Sequence, residues 1–289
     1  MSKTPDATLV EQMDVMRSRV EAALEEILRT EDPRESRLVD AMRYSVMGDG
    51  KRIRPILCLA SYEAVGGRGN EALPVAAALE LIHAYSLVHD DLPCMDDDDT
   101  RRGKPAVHKA YGEGMAVLVG DGLLTLAFEV LATAPEGSSL PPARKMQVLK
   151  NIARAAGIRG MIAGQVGDLE ALECPGDASL IDYVHARKTG ALIAVSVWSG
   201  ARLGTDEPGM IARLGQYGEN VGLAFQIVDD ILDYTDRPDE AASYVVCHGL
   251  VRARERAEEL ISTAKAGLDP LGENGRLLRD IADFILAQA

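Results

Sequence analysis

Aromatic residues are scarce in this chain, and their scarcity bears on the class of fold. Of 289 residues, 4% are aromatic and 47% are hydrophobic. Ala and Leu are frequent and β-branched runs are few. Because Ala and Leu favour helices, whereas β-branched and aromatic residues favour strands, the composition indicates a helical protein. The length allows one large domain or two modest ones, and a single all-helical domain is compatible with it.

The chain also has few cysteines and no long uncharged apolar run. Cys58, Cys94, Cys174 and Cys247 lie far apart and form no CxxC pair, which favours a reduced, cytoplasmic protein over a disulfide framework. The N-terminal segment lacks the apolar region of a secretory signal. No stretch approaches the ~18 uncharged apolar residues that would span a membrane. We therefore expect a cytoplasmic protein without a membrane span, which takes any lipid-like ligand into its own interior.

Positive charge is in deficit. The chain has 31 Lys and Arg against 45 Asp and Glu, a net charge of −14. Nucleic-acid binding needs an excess of basic side chains to displace phosphate counterions, so this balance argues against a nucleic-acid partner. Part of the acidity is local, since six aspartates fall between Asp90 and Asp99. That concentration favours a divalent cation over a solvated tail.

Apolar residues recur at helical spacing along the whole chain. The predicted helices cover residues 9–28, 35–47, 54–65, 72–92, 114–133, 141–159, 160–171, 178–203, 208–235, 249–267 and 275–287. Gly- or Pro-bearing breaks separate them, as at residues 66–69, 135–137 and 206–208. No linker or shift of composition divides the chain. We therefore predict one all-α domain over residues 1–289, in which two helices deliver acidic clusters to a shared central cavity.

Two of the predicted helices, 114–133 and 189–203, carry few charges. A helix of this kind is buried in a core or lies at an interface. We expect a homodimer on this basis, although periodicity does not separate an interface from a core.

Two aspartate-rich segments follow apolar helical runs, one at residues 90–96 and the other at 229–233. Carboxylates crowded this closely repel one another by about 3 kcal/mol per pair at ~5 Å and an effective dielectric of ~20, unless a cation neutralises them. Oxygen ligands of this kind suit Mg²⁺, which completes its shell with water and substrate phosphate oxygens. Two such segments facing each other would hold a diphosphate between them. Their carboxylates are Asp90, Asp91, Asp96, Asp229, Asp230 and Asp233.

Either segment alone is also typical of a solvated helix end. A helix C-terminus is, however, an unfavourable place for anions because the macrodipole is negative there. Asp229 and Asp233, at i and i+4 on one helical face, repel each other as well. Both clusters together therefore indicate a bound cation.

Two basic segments complement the acidic ones, at residues 50–55 and 101–104. Arg suits planar, bidentate contact with phosphate oxygens, and Lys acts as a point charge. Either segment alone would be a solvated basic turn. Together with the acidic clusters, the two basic segments predict a second diphosphate pocket, which binds its ligand without a metal.

Taken together, these motifs resemble those of the trans-isoprenyl diphosphate synthase family, and within it the bacterial farnesyl diphosphate synthase group, over nearly the whole chain. The matching stretches are GKRIRP at 50–55, LELIHAYSLVHDDLPCMDDDDTRRGKPAVHK at 79–109, GQVGDL at 164–169, RKTGALI at 187–193 and FQIVDDILD at 225–233. The resemblance implies an all-α barrel of antiparallel helices around a deep cavity, usually dimeric. It also implies Mg²⁺ as cofactor, with Mn²⁺ as an alternative, and isopentenyl and allylic diphosphates as substrates.

The resemblance assigns roles position by position. Asp90, Asp96 and Asp229 would ligate Mg²⁺, while Asp91, Asp230 and Asp233 would complete or orient the shell. Arg101 and Lys188 would hold the allylic diphosphate, and Thr189 and Gln226 would contact it or the nascent cation. Isopentenyl diphosphate would bind Lys51, Arg54, His83 and Arg102. Without the resemblance, His83 on an apolar helix would be taken for a core residue.

Product length is expected to depend on Tyr85 and its neighbour Ser86. Tyr85 lies five residues before Asp90, about 7.5 Å along the helix axis. In the family, an aromatic residue there accompanies farnesyl (C15) products, because the ring blocks a growing tail; Tyr85 is otherwise packing filler. Geranyl and geranylgeranyl diphosphate synthesis are the nearest alternatives. A class I terpene cyclase is a remote one, since the chain has DDILD and a second, basic pocket.

Two departures from the family pattern stand out. The loop that usually follows the second acidic motif is about a dozen residues shorter here, between Asp233 and Tyr244. Either the chain has lost this element or a segment is absent from the sequence. Ala106 also replaces the usual Thr of the KPTxH stretch.

Overall fold

Long helices form in the order that the apolar periodicity predicts, and two of them end in the acidic segments. The structure is a computed structural model that describes residues 7–133, 140–173, 177–236 and 243–289. Its α-helices are α1 (Ala7–Ile27), α2 (Ser36–Val46), α3 (Ile53–Ala64), α4 (Leu73–Asp90), α5 (Val107–Tyr111), α6 (Glu113–Ala132), α7 (Pro142–Ala156), α8 (Met161–Glu173), α9 (Ala178–Val184), α10 (Ala191–Gly204), α11 (Pro208–Asp236), α12 (Tyr244–His248), α13 (Leu250–Ala266) and α14 (Arg276–Leu286).

Three short elements complete the described part of the chain. A π-helix, His185–Gly190, continues α9 into α10, and a 3₁₀-helix, Asp269–Gly275, precedes α14. The strands β1 (Thr100–Arg101) and β2 (Lys104–Pro105) form an antiparallel hairpin in which Arg101 lies opposite Lys104. This hairpin places the basic segment directly after the first acidic one.

The all-α prediction is confirmed, and each predicted helix is present with small shifts at its ends. The predicted helix 178–203 is interrupted by the π-helix, whose six residues HARKTG are mostly polar. The five-residue helices α5 and α12 were missed because they contain too few residues to show a period. The predicted break at 135–137 and Cys174 lie outside the described residues. The extent of a single domain over residues 1–289 stays a prediction.

The helix that carries the first acidic motif lies in the middle of the core. In α4, the side chains of Leu79, Leu81 and Ile82 have no exposed surface. The helix packs against α3 on one side and α6 on another. Burying each such side chain stabilises the fold by roughly 1.5–3 kcal/mol, so α4 is anchored along its length. Its C-terminal end, where Asp90 lies, is therefore held in a fixed position.

One described helix, α6, is long and apolar enough to cross a membrane by length and composition. Its mean hydropathy over the window is 1.8, and 33% of that window is buried inside the chain. Val117 and Leu118 are 42% and 54% exposed. This helix does not contain a long uncharged run, because Asp121 interrupts it, and so the search for such runs did not predict it as a membrane span. The expected absence of a membrane span stays a prediction.

Candidate active site

The first acidic motif begins at the end of α4 and folds back on itself. The backbone N–H of Asp96 donates to the carbonyl of Asp90 at 2.8 Å, which brings the two residues together. Burial raises the pKa of Asp90 to about 6; Lys188 lowers it, and the neighbouring charge of Asp96 raises it again. A carboxyl group whose ionised form is disfavoured by burial and by a second carboxylate is stabilised by a cation.

Lys188 of the π-helix reaches this motif. Its Nζ lies 3.8 Å from Asp90 Oδ2 and 2.5 Å from Asp168 Oδ2, on α8. Burial lowers the pKa of Lys188, but these two carboxylates raise it to a net value above the ordinary one. Lys188 therefore stays protonated and lies between two acidic side chains. Asp168 was not singled out from the sequence, although it lies in the quoted stretch GQVGDL.

The π-helix approaches α8 at Gly164. A Cβ atom added at this glycine would lie 2.1 Å from the backbone nitrogen of Lys188. Only glycine permits this approach, which positions the lysine backbone against α8. Single π-turns are rare and occur frequently at functional sites.

The second aspartate of the first motif is buried and already partnered. Asp91 Oδ1 accepts a hydrogen bond from Arg101 Nε at 2.9 Å and a second from Nη2. Arg101 Nη2 also donates to Asp98 Oδ2 at 2.9 Å. The Arg101 side chain therefore ties the β-hairpin to the acidic motif, at the edge of the candidate site.

The second acidic motif lies near the end of α11. Burial raises the pKa of Asp229 to about 6; Lys51 lowers it and Asp233 raises it. Asp229 is half-buried and Asp233 is exposed. The first aspartate of each motif is thus in the same electrostatic situation, a half-buried carboxyl group beside both a lysine and another carboxylate.

Asp230 corresponds to Asp91 in being buried and partnered within the chain. Its Oδ2 accepts from the backbone N–H of Tyr244 at 2.6 Å and lies 3.2 Å from His185 Nε2. Its Oδ1 accepts from Gln226 Nε2 at 3.1 Å. These contacts join α11, the π-helix and α12, so Asp230 and Gln226 fix the local structure around Asp229.

The basic segment at 50–55 divides into two parts. Arg52 is buried, and its Nη1 forms an ion pair with Glu80 Oε1 at 2.6 Å, so its charge is neutralised within the fold. Lys51 is exposed and donates to Gln288 Oε1 at 2.9 Å. Arg54 is half-buried, interacts electrostatically with Asp229, and has an Nε without a hydrogen-bond partner in the described chain.

His83 lies among the basic side chains. Burial lowers its pKa well below the ordinary value, and the charges of Arg54 and Arg102 lower it further. The imidazole is therefore neutral at physiological pH. Arg54, Arg102 and His83 are brought into one electropositive region.

The residues expected to set product length lie along α4. Tyr85 is 6% exposed, and burial followed by the charge of Asp90 raises its pKa to about 12. Its ring meets His89 edge-on with centroids 5.9 Å apart. Ser86 Oγ donates to the carbonyl of His83 at 2.9 Å, so it is bonded within the helix. Thr189 is half-buried and follows Lys188 in the π-helix.

Side chains able to hold a metal ion directly are found beside the first motif. Within the described ranges, Asp97, Asp99 and His108 form the one group whose ligand atoms all lie within 4.8 Å of one another. Sequence reasoning missed this group. Asp90, Asp96 and Asp229 do not form such a group. Mg²⁺ takes only one or two carboxylates per ion and completes its shell with water and phosphate, so separated carboxylates still suit it.

The fold is all-α, and two of its helices, α4 and α11, each carry an acidic motif. Residues 35–247 match the polyprenyl synthetase family model. A farnesyl diphosphate synthase from Geobacillus stearothermophilus is 39% identical, over 96% of this chain and 98% of the relative. A chloroplastic geranylgeranyl pyrophosphate synthase from Capsicum annuum is 42% identical, over 92% and 75%.

A solved structure gives the same result. The apo structure of an FPP/GFPP synthase from Zymomonas mobilis superposes with a TM-score of 0.89 at 40% identity, covering 96% of this chain and 99% of that one. The chain belongs to the polyprenyl synthetase family. It is a trans-prenyltransferase, and its relatives differ in the length of the product that their names give.

Proposed function

We propose that this enzyme condenses isopentenyl diphosphate head to tail with dimethylallyl and then geranyl diphosphate, giving farnesyl diphosphate (C15). The observation that supports a C15 product is the position of Tyr85, whose buried ring lies on α4 five residues before Asp90. A tail growing from a diphosphate at Asp90 along α4 meets this ring. The farnesyl diphosphate synthase from Geobacillus stearothermophilus supports the proposal.

Geranylgeranyl diphosphate synthesis is the second candidate. It is favoured by the similarity to the enzyme from Capsicum annuum, which is of comparable identity. The two candidates differ by one five-carbon unit, and therefore by how far the cavity extends past Tyr85.

We assign the metal to the two half-buried carboxylates and Asp96. Asp90, Asp96 and Asp229 would hold Mg²⁺, with Mn²⁺ as an alternative, and Asp91, Asp230 and Asp233 would orient them. The donor set fits, because hard carboxylate oxygens suit these ions and burial raises the pKa values of Asp90 and Asp229, so a cation would stabilise their ionised forms. When bound, the ions supply Lewis-acid stabilisation of the diphosphate leaving group.

The chain's own cations act on the same diphosphate. As the allylic C–O bond ionises, negative charge develops on the diphosphate oxygens. Lys188 and Arg101 donate hydrogen bonds to this charge, and Thr189 and Gln226 contact the diphosphate or the nascent cation. Donors already fixed before the reaction stabilise such charge without reorganising, and removing one costs about 10²–10³-fold in kcat. Asp168 and Asp91 hold Lys188 and Arg101 in place before substrate binds.

Isopentenyl diphosphate binds in the electropositive region, through Lys51, Arg54, Arg102 and the neutral His83. Its double bond attacks the allylic cation and forms the new C–C bond. The released diphosphate takes the proton that is lost from the resulting cation. The apolar core around α4 excludes water, which would otherwise capture the cation.

Product analysis tests this proposal. Purified enzyme is incubated with isopentenyl and dimethylallyl diphosphates and Mg²⁺, and the dephosphorylated alcohols are sized. We expect farnesol as the main product. Geranylgeraniol would support the second candidate, and the absence of any elongated alcohol would overturn the prenyl-transfer assignment.

We further propose that the enzyme is a cytoplasmic homodimer in which α6 faces a second copy. The exposed Val117 and Leu118 on this apolar helix support the proposal. Monomers rarely expose large contiguous apolar patches, and pairing across a two-fold axis covers the same patch on both copies.

A further inference from the structure

A cavity of about 630 Å³ is lined by the π-helix and by no residue of the acidic motifs. Four arginines from four parts of the chain line it: Arg154 of α7, Arg159 of the α7–α8 connection, Arg187 of the π-helix and Arg256 of α13. The chain as a whole carries a net charge of −14. Four guanidinium groups around one concavity therefore produce a local positive potential on an otherwise acidic chain, apart from the electropositive region around His83.

Most of these guanidinium groups have no carboxylate partner. Among the described residues, Arg154, Arg159 and Arg187 make no ion pair, whereas Arg256 Nη1 lies 3.2 Å from Glu259 Oε2. Arg187 Nη1 donates instead to the carbonyl of Arg159 at 2.7 Å. The Arg187 guanidinium also lies over the Tyr183 ring, 4.8 Å from its centroid, so it is held in place without a carboxylate partner.

The remaining polar lining contains one acidic side chain and two amides. Glu219 is exposed, and its Oε2 accepts from Gln216 Nε2 at 3.1 Å. Asn220 lines the same cavity, and its Nδ2 has no hydrogen-bond partner in the described chain. Hydrogen-bond donors therefore outnumber acceptors around the cavity.

We propose that this cavity binds a diphosphate anion. The lining residues themselves are four arginines and one glutamate, a net of three positive charges (4 − 1), although Arg256 is also paired with Glu259 outside the lining. A phosphoryl group carries about −1.5 to −2 charges near pH 7, so a diphosphate, with about three, complements the cavity. Planar guanidinium groups bind phosphate oxygens in bidentate fashion. The anion comes from free inorganic diphosphate or from the head group of a prenyl diphosphate, which share this chemistry.

Binding there is coupled to the candidate active site through the π-helix. Arg187 and Lys188 are consecutive, and Lys188 Nζ lies against Asp90 and Asp168. The π-helix is tightly packed behind them, since a Cβ added at Gly222 would lie 3.0 Å from the Gly190 carbonyl oxygen. A displacement of Arg187 is therefore passed along the π-helix to Lys188. This coupling, unlike the binding itself, rests on the proposed role of Lys188.

The one tryptophan in the chain offers a local probe. Trp198 on α10 lines a neighbouring cavity of about 240 Å³ together with Arg154 and Arg159. The fluorescence of this residue is followed as inorganic diphosphate is added, in EDTA and at constant ionic strength. We expect a saturable change in the wild type and at least tenfold weaker binding in the Arg154→Gln/Arg159→Gln variant.

The control is Arg34→Gln, which removes an exposed arginine between α1 and α2. It is expected to match the wild type. Because Arg154 and Arg159 are both exposed, their replacement leaves the core intact, and circular dichroism verifies this. Equal affinity in the wild type and the double variant, or no saturable change in the wild type, would overturn the proposal.

Two further ligands identify the anion. Sulfate that binds as tightly as inorganic diphosphate would overturn the diphosphate assignment in favour of unselective anion binding. Isopentenyl diphosphate that displaces inorganic diphosphate would support a prenyl ester as the source of the head group. Failure to displace it would support the free anion.

Steady-state kinetics separate the coupling from product inhibition. With both substrates saturating, added inorganic diphosphate is expected to lower kcat in the wild type, which competition at the active site does not do. In the double variant, we expect only KM to rise. An identical fall in kcat in both proteins would reject the coupling. If the wild type has no activity at all, the proposed function is rejected, whereas the fluorescence measurement still tests diphosphate binding to the cavity.

Discussion

At the scale of single residues, the two acidic motifs divide their aspartates in the same way. Asp91 and Asp230 are buried and bonded to partners within the chain. Asp90 and Asp229 are half-buried, and burial raises the pKa of each to about 6. The first pair therefore fixes local geometry, and the second is the pair that we propose as metal ligands.

Replacing Tyr85 by Ala is expected to lengthen the product beyond the proposed C15, because it removes the buried ring that we propose limits the tail. The fold should lose roughly 3–5 kcal/mol of stability, as for other large-to-small changes of buried aromatic residues, so its integrity is checked by thermal unfolding. The measurement is the size of the dephosphorylated alcohols. Tyr85→Phe keeps the ring and should keep the C15 product. Unchanged C15 output from Tyr85→Ala would reject this role.

His83 is expected to make the enzyme sensitive to mild acid. Its pKa in the folded protein is below the unfolded value of about 6.5, so the unfolded chain binds the proton first and stability falls as the pH drops through that value. His83→Gln removes this proton binding. Urea unfolding at pH 7.5 and pH 5.5 should show a larger loss for the wild type, by up to about 1.4 kcal/mol per pH unit below 6.5. An equal loss in both proteins would contradict the account.

At the scale of elements, the π-helix contacts both acidic motifs, through Lys188 at Asp90 and through His185 at Asp230. It packs against both α8 and α11, and it carries Lys188 and Thr189. Its backbone lies against Gly164 of α8 at a separation that leaves no room for a side chain. Whatever shifts this helix also shifts Lys188.

Gly164→Ala is therefore expected to impair catalysis by displacing Lys188. A misplacement of about 1 Å in a positioning group costs about 10²-fold, and we expect a loss of this order in kcat/KM. The measurement is initial rate against allylic diphosphate concentration. Gly114→Ala on α6 is the matched control, because a Cβ there meets no atom within 4 Å. A Gly164→Ala enzyme with wild-type kcat/KM would show that the close approach does not position the lysine.

Elements were easier to predict from the sequence than their contacts. Helix period and the ends of α4 and α11 follow from apolar spacing, so the positions of Asp90 and Asp229 were predictable. The π-helix was not, because its six residues HARKTG contain one aliphatic side chain and so show no apolar period. Asp168 was missed because its partner Lys188 is 20 residues away and meets it only through tertiary packing.

The basic segments show a similar limit. The family resemblance assigned Lys51 and Arg54 to a phosphate pocket, and the local sequence does not indicate that Arg52 pairs with the buried Glu80. It also gave no sign that Asp97, Asp99 and His108 lie together, since the β-hairpin between them determines their spacing. Long-range pairing depends on the whole fold rather than on local pattern.

At the scale of the whole molecule, the distribution of exposed apolar side chains bears on assembly. Among the described helices, α6 is the one apolar and long enough to cross a membrane, yet only 33% of its most apolar 18-residue stretch is buried inside the chain. The proposed homodimer accounts for this, because a second copy of α6 would cover the remainder.

Leu118→Glu is expected to convert the dimer to monomer, since it places two charges across a two-fold interface. The measurement is mass by light scattering after gel filtration. Val251→Glu on α13 is the matched control, because Val251 is 73% exposed and lies on another helix. A Leu118→Glu protein that remains dimeric, or a wild type that is monomeric, would remove α6 from the interface.

The central claim is that the two acidic motifs act on one diphosphate. Binding of an unreactive allylic thiolodiphosphate in Mg²⁺, measured by calorimetry for the wild type, Asp90→Asn, Asp229→Asn and the double variant, tests it most directly. The account predicts that each single change weakens binding at least tenfold and that the double variant is little worse than either. Such non-additivity, a coupling of about 1.4 kcal/mol or more, is expected of residues that share one ligand. Fully additive losses, or unchanged affinity in either single variant, would contradict it.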